Sequence, residues 1–215
     1  MRDKMQEQIM NINNMVTKMS SMVTEGIEMA FEAFENRDFV LAKEVLKRDL
    51  DINVVEEEIE DLCVKFAATQ SPVASDLRRL ITILKVVTDL ERIGDYSCNI
   101  AEVVLEMGDT GKGLLVPRLK EMENEVKGML KDSMAAYFDR NIELAKGTAG
   151  RDELVDDLYD DIYRYLLLSI KEEKADEDRI IGHILIGRYL ERIADHATNI
   201  CERLIFMQTG ERMKF

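Results

Sequence analysis

The chain has 215 residues, of which 46% are hydrophobic and 33% charged, and it contains only 2 Pro and 11 Gly. This composition is typical of a globular protein and leaves little material for a turn-rich β architecture, so we expect an all-α fold. The net charge of −14, with no run of Lys or Arg, argues against nucleic-acid binding.

The compartment is predicted from the cysteines and from the absence of targeting signals. Cys63, Cys98 and Cys201 are scattered and have no CxxC spacing, which is typical of buried thiols in a reducing environment. No apolar run reaches the ~18–20 residues of a membrane span, and the N-terminus lacks the apolar core of a signal peptide. We therefore expect a cytoplasmic protein without a membrane span.

Apolar residues recur at helical spacing along the chain, for example at Ile52, Val55, Ile59, Leu62 and Phe66. Polar or Pro-containing segments interrupt this pattern at residues 36–38, 70–72, 139–141 and 174–176. Each half of the chain is predicted to contain three long helices and a short one.

The two halves are related by a duplication. The hexapeptide from Leu90 to Asp95 returns at 190–195, and eight of the fourteen positions from 89 to 102 are identical at an offset of 100. Upstream, an offset of 103 relates Ala42, Arg48, Asp49 and Ile59 to Ala145, Arg151, Asp152 and Ile162. We predict a tandem duplication of a three-helix bundle with antiparallel helices, in which residues 1–108 form one bundle, 109–116 a Gly-rich linker and 117–215 the other.

Acidic residues form one stripe on the last long helix of each half. In the first half these are Glu91, Asp95, Asn99 and Glu102, and in the second Glu191, Asp195, Asn199 and Glu202. The preceding helix would face them with Asn53 and Glu57, or with Asp156 and Asp160. Oxygen ligands without His or Cys suit hard cations such as Mg²⁺, Mn²⁺ or ferric iron, and zinc less well.

A simpler interpretation remains open, in which both stripes are solvated faces whose charge Arg92 and Arg192 balance. His196 follows Asp195 and is a further candidate neighbour of a metal, whereas His183 is expected to be structural. Neither histidine lies three residues after a Glu, as di-iron bundles require, and no phosphate-binding loop or nucleophile motif is present. We therefore predict a regulatory protein rather than an enzyme.

Two motifs resemble those of a known family. Glu91-Arg92-Ile93-Gly94-Asp95, its copy at 191–195 and the loop Gln70-Ser71-Pro72-Val73-Ala74-Ser75-Asp76-Leu77-Arg78 resemble the PhoU family of phosphate-signalling regulators. The resemblance extends over the whole chain, with helix starts at Asp49 and Asp152. It implies two similar three-helix bundles that carry metal clusters on these motifs, with iron as the first expectation and zinc, manganese or magnesium as alternatives.

The resemblance also implies a role and partners. PhoU proteins lower phosphate uptake and phosphate-starvation signalling, acting between a phosphate ABC transporter ATPase and a sensor histidine kinase, and they form homodimers. The alternatives are a helical scaffold or a regulator of another ion transporter without functional metal and, with less support, a carboxylate-bridged metal hydrolase or oxidase.

Overall fold

The computed structural model describes residues 2–70, 72–108, 116–171 and 177–215, and these residues form seven α-helices and no strand. The helices are α1 (Arg2–Asn36), α2 (Phe39–Gln70), α3 (Ala74–Met107), α4 (Leu119–Asp139), α5 (Ile142–Ala149), α6 (Asp152–Lys171) and α7 (Glu177–Thr209). The predicted all-α tandem fold is confirmed. None of the helices in these ranges is long and apolar enough to cross a membrane. Of the predicted linker only Val116 is described, and the predicted break at 174–176 lies outside the described residues.

The first bundle consists of α1, α2 and α3, each of which packs against the other two. Its core is built by residues three or four positions apart on one face of each helix, which on α1 are Ile12, Val16, Met19, Val23 and Ile27. Met15, Met22 and Met29 flank this stripe and pack half-buried against the same core. Met15, Met19, Met22 and Met29 are therefore packing residues, as their spacing predicts.

The first helix of each bundle ends in the same way. Arg37 and Arg140, which are equivalent at the offset of 103, both adopt a left-handed backbone conformation with φ of 55°. The next residue begins the following helix: Asp38 accepts hydrogen bonds from the backbone of Val40 and Leu41, and Asn141 accepts one from Leu144. The predicted breaks at 36–38 and 139–141 are thus confirmed, with a left-handed cap and an N-cap in sequence.

The second bundle contains α4, α6 and α7, with the short helix α5 between α4 and α6. A short helix is absent from the described part of the first bundle, because α2 runs unbroken through Asp49; the predicted short helix and helix start there were wrong. Asp152 does begin α6. The difference follows from Gly147 and Gly150, which replace Glu44 and Lys47 and weaken the helix by about 1 kcal/mol each.

The two bundles meet where α3 packs antiparallel against α7, and one core extends through both of them, with a smaller separate cluster where α4, α5 and α7 meet. Near the middle of this seam, His196 Nδ1 lies 2.9 Å from Asp89 Oδ1, while Tyr96 stacks on Tyr189 with ring centroids 6.0 Å apart. Position 89 corresponds to 189 and position 96 to 196, so the two contacts are equivalent under exchange of the repeats. One has become a polar pair and the other an aromatic pair.

We expect Arg140→Gly to stabilise the protein. Glycine adopts a positive φ without the steric cost of a Cβ, and removing this guanidinium also relieves its repulsion of the half-buried Arg79. The expected gain in unfolding free energy is about 1 kcal/mol, measured by chemical denaturation. Arg140→Ala is the matched control: it removes the charge but keeps the Cβ, so an equal gain there would contradict the role of the backbone.

Candidate metal centres

Close packing between α2 and α3 brings acidic residues of the two helices together. A Cβ added to Gly94 would lie 3.3 Å from Ile52 Cδ1 and 3.5 Å from Asp49 Oδ1. Asp49 is therefore held directly against the backbone of α3, between the motif residues Glu91 and Asp95. The glycine of the first motif permits this approach, because a larger residue would push α2 away.

The first acid cluster consists of Asp49, Asn53 and Glu56 on α2 with Glu91 and Asp95 on α3. Burial, followed by the charge of Asp95, raises the pKa of both Asp49 and Glu91. Burial and then the charge of Glu91 raise the pKa of Glu56 to about 7. Each of these carboxylates is thus disfavoured as an anion by desolvation and by the others.

Two buried oxygen atoms of the first acid cluster lack a hydrogen-bond donor. They are Asp49 Oδ1 and Asn53 Oδ1. The Cys98 thiol and the Asn53 amide lie near Asp49 and lower its pKa, but they do not satisfy this buried atom. Unpaired buried acceptors among repelling carboxylates are the groups that a bound cation would satisfy, so the residues present fit a metal.

The second acid cluster consists of Asp152 and Asp156 on α6 with Glu191 and Asp195 on α7. Burial, then Asp195 and Asp156, raise the pKa of Asp152 to about 6. Burial, then Glu191 and Asp195, raise the pKa of Asp156. The two motif glutamates are equally buried: the side chains of Glu91 and Glu191 are each 17% exposed.

Arginines on the motif helices partly neutralise both clusters. Arg92 Nη1 lies 2.9 Å from Asp95 Oδ2, and Arg192 Nη1 lies 3.1 Å from Asp195 Oδ2. Arg188 Nη1 lies 2.6 Å from both carboxylate oxygens of Glu191. In the described ranges, no three His, Cys, Asp or Glu side chains converge as a ready-made metal site. A cation would have to compete with the arginines.

The remaining predicted ligands lie further from these contacts. Asp160 pairs with Arg164 and its side chain is 65% exposed, and Glu57 is exposed on α2. Glu102 is exposed and contributes to raising the pKa of Tyr189 on α7, after burial. Glu202 accepts a hydrogen bond from the backbone of Phe215. Asn99 and Asn199 are half-buried one turn beyond the motif aspartates.

The sequence interpretation missed Asp49, Asp152 and Glu56 as members of the clusters. A signal for the first two was present, because Asp49 and Asn53, like Asp152 and Asp156, are four residues apart, as are the motif residues. The conserved offset of 103 links the two pairs. Glu56 gave no such signal, since its equivalent is Tyr159.

Both histidines have protein partners. His196 pairs with Asp89, which Arg203 also approaches at 3.8 Å. His183 is buried, its Nδ1 lies 2.7 Å from the carbonyl oxygen of Arg179, and its ring contacts Phe34. His183 is a packing residue, as predicted. His196 joins the two repeats and lies close enough to Glu91 to lower the pKa of that carboxyl.

Comparison with known proteins finds matches over both repeats. A family model described as "PhoU domain" matches residues 16–104 and again 119–204. The chain is 36% identical over 203 residues to a phosphate-specific transport system accessory protein PhoU homolog from Clostridium acetobutylicum, covering 94% of this chain and 93% of that one. A second such homolog, from Thermotoga maritima, is 36% identical over 200 residues, with 93% and 86% covered. The crystal structure of the phosphate transport system regulatory protein PhoU from Streptococcus pneumoniae superposes with a TM-score of 0.91 at 27% identity, covering 98% of this chain and 100% of that one.

We expect Glu56 and Asp152 to make the metal-free protein lose stability as the pH rises from about 4 to about 7. The pKa of Glu56 is raised from 4.5 to about 7 and that of Asp152 from 3.8 to about 6. Between the unfolded and folded values the folded chain binds more protons, so the unfolding free energy falls as the pH increases through this window.

Thermal unfolding in a chelating buffer measures this dependence. Glu56→Gln removes one of the repelling charges and should raise the melting temperature more at the higher pH than at the lower. The exposed substitution Glu58→Gln, outside the clusters, is the control, and an equal effect there would show that the cluster is not the cause.

Proposed function

Because the chain belongs to the PhoU family, we propose that it is a regulatory accessory protein of a phosphate transport system, which lowers phosphate uptake and phosphate-starvation signalling when phosphate is plentiful. The observation that carries this proposal is the family match over both repeats, together with relatives named as phosphate-specific transport accessory proteins over nearly their whole length. It agrees with the motifs at 91–95 and 191–195.

The regulation acts through partner proteins rather than through bond chemistry. The partners are the ATPase of the phosphate ABC transporter and a sensor histidine kinase, both reached from the cytoplasm, and the protein acts as a homodimer. The long, rigid helices support this role, because they present fixed surfaces whose charge is set by the two acid clusters.

Metal binding is the second part of the proposal. Asp49, Asn53, Glu91 and Asp95 hold a cation in the first repeat, and Asp152, Asp156, Glu191 and Asp195 in the second. Oxygen donors suit a hard cation, and iron is the first candidate because the resemblance to the PhoU family implies it, with zinc, manganese and magnesium as alternatives. The bound cation supplies positive charge between like-charged carboxylates and so ties α2 to α3 and α6 to α7. The outer stripe residues Asn99, Glu102, Asn199, Glu202, Glu57 and Asp160 are further candidate ligands.

A metal-free scaffold is the alternative function, and the arginines favour it. Arg92, Arg188 and Arg192 already pair with the motif carboxylates and could balance these faces without a cation. Such a protein could also regulate another ion transporter. Metal content and partner identity separate these functions.

Metal content is measured by elemental analysis of protein purified without a polyhistidine tag. We expect at least one ion per cluster in protein loaded with excess cation, and loss of most of it from that cluster in Asp95→Ala or Asp195→Ala, because even outer-shell substitutions weaken metal binding by about tenfold or more. Glu58→Ala removes an exposed acid outside the clusters and should leave the content unchanged. A negligible metal content that no variant alters would favour the scaffold.

Partner identity is measured by affinity purification from cells grown in abundant phosphate. We expect to recover the transporter ATPase and the sensor kinase, and to find phosphate uptake raised in cells that lack this protein. Recovery of a different ion transporter, with phosphate uptake unchanged, would contradict the phosphate role and leave the metal proposal standing.

A further inference from the structure

The two acid clusters differ in whether an arginine three residues earlier on the same helix pairs with the motif glutamate. On α7, Arg188 places Nη1 2.6 Å from both oxygens of Glu191. The equivalent residue on α3 is Thr88, whose hydroxyl instead donates to the carbonyl oxygen of Leu84 at 3.1 Å. Within the described ranges, the arginine that pairs with Glu91 is its neighbour Arg92, at 3.4 Å. The second motif glutamate is therefore the more fully occupied of the two.

A second difference concerns the aspartates that begin the clusters. Thr198 Oγ1 lies 3.3 Å from Asp152 Oδ1 and donates a hydrogen bond to it. The equivalent of Thr198 is Cys98, whose thiol is a weak donor, and Asp49 Oδ1 remains buried without a donor. The chain thus satisfies this carboxylate in the second cluster and leaves its equivalent unsatisfied in the first.

The third difference is on α2 and α6, the helices that precede the motif helices. Glu56 belongs to the first cluster, whereas Tyr159 occupies the equivalent place in the second. The Tyr159 ring packs against Gly187 so closely that a Cβ there would lie 2.9 Å from the ring. Because Gly187 replaces Val87, the ring fits where the first repeat has a carboxylate and a larger residue. The first cluster therefore has a carboxylate, Glu56, that the second lacks, while Asp156 in the second replaces Asn53, so each cluster holds four carboxylates.

We propose that the two clusters bind metal with unequal affinity: the first binds a cation tightly, and the second binds one only when the cation displaces Arg188 from Glu191. This inference rests on the proposed metal function and adds to it an order of occupation. The first two differences act in the same direction, because each leaves more unpaired oxygen atoms in the first cluster, whereas the third leaves the number of carboxylates equal. Filling the second cluster then releases the Arg188 guanidinium, so that the surface of α7 changes only at higher cation concentration.

The test is a titration of chelator-treated full-length protein with Mn²⁺ alone, followed by calorimetry and by electron paramagnetic resonance of free Mn²⁺. We expect a tight and a weaker site, of which Asp95→Ala removes the tight one and Asp195→Ala the weaker. Arg188→Thr should strengthen the weaker site about tenfold, and Thr88→Arg should weaken the tight one by a similar factor, since each removes or adds a charge-assisted hydrogen bond. The double variant should reduce or reverse the order.

Arg118→Thr is the matched control. It changes the net charge as Arg188→Thr does, but Arg118 pairs with Asp161 rather than with a motif residue. The melting temperature of the metal-free protein is measured alongside: Arg188→Thr should lower it modestly because it leaves Glu191 unpaired, whereas Thr88→Arg, at an exposed position, should not lower it. Two sites of equal affinity, or swaps that act no more than Arg118→Thr, would overturn this inference and leave the metal function intact. Absence of Mn²⁺ binding to either cluster would overturn both.

Discussion

The antiparallel packing of α3 against α7 is the contact on which the other features depend. Leu90, Ile93 and Ile100 are completely buried, as are their equivalents Leu190, Ile193 and Ile200, and each such side chain contributes roughly 1.5–3 kcal/mol when removed from water. This apolar face fixes the rotation of each helix about its axis. A shift of one residue would turn the helix by about 100° and bury Glu91 in place of Leu90. The hydrophobic core therefore determines where the motif carboxylates lie.

The repelling carboxylates of the acid clusters oppose folding. The helices that carry them pack together through different pairs of residues in the two bundles. In the first, Gly94 faces Ile52; in the second, the equivalent positions hold Ala194 and Val155, so that the motif helix gains a methyl group where the partner helix loses one. Glu56 and Val87 likewise correspond to Tyr159 and Gly187. Paired changes of this kind keep the packing dense while the chemistry at the surface diverges. Conservation of the fold and divergence of the clusters are thus compatible.

The sequence predicted most of the helices and their breaks, because helical periodicity and capping residues such as Asp38 and Asn141 are local signals. The helix start predicted at Asp49 was wrong. The equivalent Asp152 begins α6 because Gly147 and Gly150 precede it, whereas α2 has no glycine at the corresponding positions and continues through Asp49. Glu57 and Asp160 were expected to face the motifs. Helical periodicity at about 100° per residue shows which residues share a face, but it does not determine which side of that face contacts the neighbouring helix. The sequence did not predict the pairing of Arg188 with Glu191. That pair and Arg192 with Asp195 are both three residues apart on one helix, and the carboxylate that each arginine reaches depends on the rotamers of long side chains.

The polar pair Asp89 with His196 and the aromatic pair Tyr96 with Tyr189 make the seam between the repeats directional. If two α3 helices met in the same geometry, each Asp89 would face a Tyr96 and would be buried without a cation, which is strongly unfavourable. Two α7 helices would set tyrosine against histidine, rings that already pack together here in Tyr96 and His196, with centroids 5.8 Å apart. The discrimination is therefore one-sided, and α3 is a poor partner for its own copy. Having acquired Asp89, the first repeat lacks the surface to form a symmetric pair through this seam, so it depends on the second for His196 and Arg203.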